Sequence, residues 1–332
     1  MSSHPRDDTP DSLPAIAGDL LAWIRQNDTR APAWFLDDGA VAPEMAAALA
    51  AAPAPPAAPV APAAAAAPVS ATAPVPASPD AHVAPKVPVA SRPEDASNAP
   101  AASDPAFAAA CAAFVAGALA LIDREGVPTG GRLPPDPLLA AHGGDKAAAL
   151  AALCAEVLPC TKCALNATRT HTVFGAGNPD ADLVFIGEAP GQDEDLQGEP
   201  FVGRSGQLLT KIIGAIGYGR DDVYICNILK CRPPGNRDPL PAEVEQCEPH
   251  LRRQLAILRP RAICCLGRVA GQTLLGTEAS LGKLRGAVHF YAGIPVTVTY
   301  HPAALLRNPG WKRDTWDDVR RLRALVDALQ AR

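Results

Sequence analysis

Residues Leu183–Gly206 read LVFIGEAPGQDEDLQGEPFVGRSG. The opening LVFIG is a short, unbroken apolar run, as expected of a strand buried on both faces. The remainder, from Glu188 on, is too rich in glycine and carboxylate to be core. Gly187, Gly191, Gly198, Gly203 and Gly206 let main-chain amides approach a ligand closely, and Glu188, Asp193, Glu194, Asp195 and Glu199 set carboxylates beside them. In α/β folds ligands sit outside the carboxyl ends of the strands. The stretch therefore marks a strand end built as a site.

Outward from it, strand and helix patterns alternate. Ser205 is expected to cap a helix, QLLTKIIGAIG, whose Leu208, Leu209, Ile212, Ile213 and Ile216 form an apolar face. Residues 223–229 (VYICNIL) predict the next strand, and Pro241 opens a helix running to about Leu258. AICCL (262–266) predicts a third strand, followed by a short helix ending at Gly276. IPVTVTY (294–300) predicts a fourth strand and residues 314–330 the closing helix. Such alternation implies a parallel sheet with helices on both faces.

The front of the chain differs. Of 36 prolines, 23 lie in residues 1–140, a region with 7 Lys+Arg against 15 Asp+Glu, whereas residues 141–332 carry 23 against 20. A mildly basic second part suits a polyanion partner. Residues 31–104, rich in Ala and Pro, read as a disordered linker that cannot bury enough apolar area to offset its ordering entropy. Residues 1–30 contain a short amphipathic segment, DSLPAIAGDLLAWIRQ, which reads as a docking helix or, alternatively, as a solvated amphipathic helix. Residues 105–145 read as an Ala-rich helix and connector, with a further helix over 145–158, and the domain proper is expected over 146–332. No signal peptide is recognisable and no apolar run reads as long enough to span a bilayer, which places the expected setting in a reducing cytoplasm.

In that setting nine cysteines point to metal binding or catalysis rather than disulfides. Cys160 and Cys163 form a CxxC pair before the glycine-rich stretch; Cys231 and Cys247 lie after it. Four thiolates so arranged suit zinc or an iron–sulfur cluster, and spacing does not choose between them. Cys111, Cys154, Cys226, Cys264 and Cys265, set within predicted elements, read as ordinary buried thiols.

Three polar or aromatic positions complete the candidate site. Phe201 is an aromatic in a loop, either a hydrophobic plug or a platform for an unstacked base. Asn227 lies inside an apolar strand, where an unpaired amide is costly, and its side chain offers a donor and an acceptor side by side. His301, in HPAALLRNP (301–309), falls at the end of the fourth strand, on the same edge as Glu188 and Asn227. Lys230, Arg232 and Arg237 lie near Asn227 as phosphate contacts or solvated surface.

Together, GEAPGQDEDLQGEPFVGRSG, NILKCRPPGNR, HPAALLRNP and the cysteine quartet resemble the family 4 uracil-DNA glycosylases, over about residues 150–330. The resemblance implies a three-layer α/β/α sandwich around a four-stranded parallel sheet, uracil-containing DNA as partner, and a 4Fe–4S cluster on Cys160, Cys163, Cys231 and Cys247. It implies a uracil site at Gly187, Glu188, Ala189, Gly191, Phe201, Asn227 and His301. There Phe201 stacks on the base, Asn227 reads its edge and His301 bonds the oxygen on which charge develops. His301, Glu188 and Glu194 are the implied catalytic positions. Ser205, Arg232, Leu305, Leu306 and Arg307 are expected to contact DNA, one of the leucines as a wedge in the vacated stack. Ala189 stands where family 1 glycosylases have a water-orienting aspartate, so the water's partner is left open. The expected protein is a monofunctional, monomeric, nucleoid-associated enzyme without a membrane partner, whose N-terminal arm binds another protein. The alternatives are a protein that traps uracil covalently, against which the absence of a basic insertion after GEPFVG argues, and a tethering module.

Overall fold

A computed structural model describes residues 104–126 and 131–332. The expected docking helix and the Ala/Pro-rich linker fall outside the described residues. The centre is a six-stranded sheet of order β1-β3-β2-β4-β6-β5. Its strands are β1 (Ala176–Gly177), β2 (Leu183–Gly187), β3 (Tyr224–Asn227), β4 (Ala262–Leu266), β5 (His289–Tyr291) and β6 (Ile294–Thr299). The four middle strands run parallel, as the alternation predicts; β1 and β5 add short antiparallel edges.

Because side chains alternate along a strand, β2 feeds two cores. Leu183 and Phe185 pack on one face with α1 (Pro105–Glu125), α5 (Arg204–Ala215) and α10 (Lys312–Gln330). Val184 and Ile186 pack on the other with α3 (Lys146–Val157), α6 (Pro241–Leu258) and α7 (Arg268–Leu275). Shorter helices fill the connections: α2 (Pro137–Ala141), α4 (Gln192–Gln197), α8 (Leu281–Leu284) and α9 (Pro302–Arg307). The result is the expected α/β/α sandwich.

Two local expectations are corrected. Gly203, not Ser205, is the N-cap of α5, because the chain turns into the helix earlier and leaves the serine inside the first turn. And α1, 21 residues with an 18-residue window of mean hydropathy 2.1, is long and apolar enough by length and composition to cross a membrane. Its Ala108, Cys111, Val115, Ala118 and Leu119 recur at helical spacing and are buried in the core shared with α10. Phe107 lies beneath the Arg320 guanidinium, 3.4 Å from ring centroid to carbon.

The first parallel strand in sequence, β2, has its successor β3 on one side and β4 on the other. Connections therefore leave the strand ends in opposite directions and open a crevice there. The stretch after β2 sits at that switch.

Candidate functional site

A cavity of about 350 Å³ opens at these strand ends, lined by Glu188, Ala189, Gly191, Glu194, Phe201, Ser205, Asn227, His301 and Arg307, among others. The sequence-based site is thus one place. Gly187, outside the lining itself, backs two of these residues: a Cβ there would stand 2.3 Å from Asn227 Oδ1 and 2.5 Å from Phe201 Cζ. Only glycine lets the ring and the amide close on each other.

Phe201 is buried at a positive φ of 54°. Left-handed backbone at a bulky residue costs on the order of 1–3 kcal/mol and persists only where its surroundings hold it. Glu194 is one such support. Its Oε1 accepts from the amides of Val202 (3.0 Å) and Gly203 (2.9 Å), and its Oε2 from that of Gly191 (3.1 Å). Both oxygens of this buried carboxylate are thus taken up by main chain, so Glu194 builds the loop while also lining the cavity.

Asn227 ends β3 with 1% exposure, and its Oδ1 has no hydrogen-bond partner. An unpaired buried acceptor costs about 1–3 kcal/mol, which a ligand N–H in the cavity would recover. His301 is the N-cap of α9, its Nδ1 accepting from the amide of Ala303 at 3.1 Å. An accepting Nδ1 carries no proton, so the neutral ring bears its hydrogen on Nε2. Burial, with a smaller contribution from the charge of Arg307, pushes the imidazole down to about 4, so it is neutral at physiological pH. Its ring centroid lies 5.6 Å from that of Phe201. Burial first, then the charge of Asp238, pushes Glu188 up to about 7, with Arg268 pulling the other way.

The DNA-contact expectations divide. Arg307 lines the cavity and Leu306 is exposed. Leu305 is fully buried in the core of α5 and α10, which corrects its place as a candidate wedge. Arg232 lies outside the cavity lining, its Nε donating to Asn236 Oδ1 at 2.8 Å. Arg237 is held by both oxygens of Glu243, itself capping α6. Lys230 is neither surface nor phosphate contact: it is 1% exposed, and its Nζ donates to the carbonyl of Asn227 at 2.9 Å.

Lys230 also lines a second recess, together with Cys160, Cys163, Cys231 and Cys247. Its remaining charged or titratable walls are Lys162, Arg169 and His250, with no carboxylate. Arg169 donates to Cys231 Sγ at 3.3 Å, and the amide of Lys230 to Cys247 Sγ at 3.2 Å. Burial pushes the Cys231 thiol up and that of Cys247 up to about 11. Deprotonated, four thiolates would give any bound metal group a net negative charge, which this cationic wall suits. No group of three His, Cys, Asp or Glu among the described residues is gathered as a site for a metal ion. Four cysteines lining one recess with cationic neighbours and no carboxylate form a donor set that a cluster ligated by four thiolates can use. Of the other cysteines, Cys154 is only partly buried.

Phe201, the unpaired amide oxygen of Asn227 and the neutral imidazole of His301 thus converge at the strand ends of an α/β/α sandwich. The model of the uracil DNA glycosylase superfamily matches residues 174–320. A type-4 uracil-DNA glycosylase of Archaeoglobus fulgidus is 46% identical over 183 residues, 53% of this chain and 92% of that protein. One of Thermotoga maritima is 42% identical over 175 residues, 52% of this chain and 91% of that protein. A type-5 enzyme of Pyrobaculum aerophilum is 35% identical over 152 residues, 40% and 66% of the two chains. The chain belongs to the uracil-DNA glycosylase superfamily, within its type-4 family.

Sequence reasoning missed the supports of the site. Arg169 and Arg220 act on main-chain atoms or sulfur across long sequence separations, for which no local pattern exists, and Asp195, legible only as a carboxylate beside the glycines, does the same. Asp195 Oδ1 accepts from the amides of Thr170 (2.9 Å) and His171 (3.4 Å), tying the segment after the CxxC pair to α4.

Proposed function

We propose that the chain excises uracil from single- or double-stranded DNA by hydrolysing the N-glycosidic bond, leaving an abasic site and an uncut strand. The unpartnered Oδ1 of Asn227 carries this reading. Uracil presents an N3–H to it; cytosine has a bare nitrogen there and would leave the acceptor buried and unpaired, an effective means of rejection. Phe201 stacks on the extruded base.

As the bond between N1 and C1′ breaks, its electron pair passes to the base and the sugar becomes oxocarbenium-like. The Nε2–H of His301 then donates to the oxygen where negative charge grows. Because the ring is already neutral and oriented, this donation needs no reorganisation. Water supplies the new C1′–O bond, and Glu188, near neutrality in its acidity, is suited to take the water's proton. Glu194 acts through the loop it holds.

The four cysteines would hold a 4Fe–4S cluster, which when bound supplies a cross-link between the segment at residue 160 and α6. The reading also covers a single-copy protein acting in the cytoplasm on the nucleoid, with residues 1–103 as a recruiting arm. Incubating the full chain with an end-labelled oligonucleotide bearing one uracil tests the activity. Strand breakage only after alkali is expected; breakage without alkali, or a denaturant-resistant adduct, contradicts it.

A further inference from the structure

We propose that Arg220 is a positioning residue for the stacking ring: its guanidinium clasps the two peptide planes that set the backbone of Phe201. The inference rests on the reading of Phe201 as the base platform. Arg220 stands in a short turn (Arg220–Asp222) just before β3, remote in sequence from the loop. Its Nη1 donates to the carbonyl of Phe201 at 3.1 Å and its Nη2 to that of Pro200. These two carbonyls belong to the peptides on either side of Phe201, so one planar fork fixes both torsions of the residue. The peptide after Phe201 is also held at its other end, where the Val202 amide donates to Glu194. The cation thus pulls the carbonyl and the anion pulls the N–H of one and the same plane.

The first turn of α5 closes the remaining side. A Cβ at Gly206 would stand 1.9 Å from the Phe201 carbonyl oxygen, so only glycine admits the arrangement. Glu199, 3.7 Å from the guanidinium, keeps Arg220 turned toward the loop. The ring so held has little freedom, because Gly187 and His301 already border it. A lysine would keep the charge but lacks two donors in a fixed plane, and so cannot hold both carbonyls in this geometry.

The test uses the full chain and two single-stranded oligonucleotides, one with a non-hydrolysable 2′-fluoro-2′-deoxyuridine and one with a tetrahydrofuran abasic analogue, which has no base to stack. Arg220→Met should weaken binding to the first by about tenfold to a hundredfold, the scale of a misplaced active-site group, and leave binding to the second unchanged. Arg220→Lys should fall between. In a Phe201→Ala background Arg220→Met should add nothing, since there is no ring left to place. Equal losses on both oligonucleotides would make Arg220 a general DNA or folding contact and overturn the proposal, as would an undiminished effect without the ring. If Phe201→Ala itself leaves uridine binding intact, the platform reading fails; if Phe201→Ala weakens it and Arg220→Met does not, only the present proposal fails.

Discussion

The base cavity and the cysteine recess lie on either side of one four-residue step in the chain, from Asn227 to Cys231, and they treat polar atoms in opposite ways. In the cavity, Asn227 Oδ1 is buried without a partner and His301 keeps one nitrogen committed and the other free. In the recess, Cys231 and Cys247 already receive hydrogen bonds, and Lys162, Arg169 and Lys230 surround the thiols. The first holds capacity open for a ligand that comes and goes. The second suits the anionic cluster proposed above, held there permanently. Lys230 serves both, its side chain in the recess and its Nζ on the Asn227 carbonyl.

The contrast gives graded expectations. The largest effect lies in the recess. Cys231→Ala should abolish the visible absorbance of the purified protein and lower its stability to denaturant by about 3–5 kcal/mol, the cost of leaving a buried charge without its partner. A variant that keeps its colour and midpoint would remove the occupant from the account. In the cavity, His301→Ala should lower single-turnover excision by about 10²–10³-fold, as loss of an oxyanion donor does, or roughly 3–4 kcal/mol. A loss below tenfold would put the leaving-group stabilisation elsewhere. Leu305→Ala should destabilise by at least about 2 kcal/mol as a core truncation, read by chemical unfolding. Leu306→Ala should stay within about 0.5 kcal/mol and slow duplex excision alone.

Glu188 gives a pH test of moderate size. Its pKa is raised to about 7, so the carboxylate that takes the water's proton forms only as pH rises through that value. Excision should climb about tenfold per unit below 7 and level off above it, and Glu188→Gln should flatten the profile. The same shift has a stability consequence of opposite sense. A raised carboxyl favours the folded state below its unfolded pKa, and that contribution is lost as pH rises towards 7.

Much of this was legible in the sequence because the central strands are short apolar runs punctuated by glycine, proline and carboxylate. LVFIG and AICCL fall at their expected bounds, and Pro241 begins its helix as its ring geometry dictates. The edge strands β1 and β5 were not legible, being two and three residues long and without a buried alternation. Nor was α4, whose QDEDLQ reads as loop because its helix is set by Glu194 bonding the loop main chain, not by apolar periodicity. Lys230 misleads for a related reason: in sequence it belongs to a basic cluster with Arg232 and Arg237, and only the folded recess turns it inward. The candidate residues were legible as chemical types, whereas the strain at Phe201 and the atoms that hold it depend on contacts that no local pattern encodes.

The central claim is that an unpaired Asn227 oxygen makes the cavity a reader of uracil. Equilibrium binding of the full chain to oligonucleotides carrying 2′-fluoro-2′-deoxyuridine or its cytidine counterpart tests it most directly. The account expects the uridine to bind tighter by about 1–3 kcal/mol, the cost of an unsatisfied acceptor, and Asn227→Leu to erase the difference. Equal affinities in the unaltered protein, or a preference that survives Asn227→Leu, would contradict it.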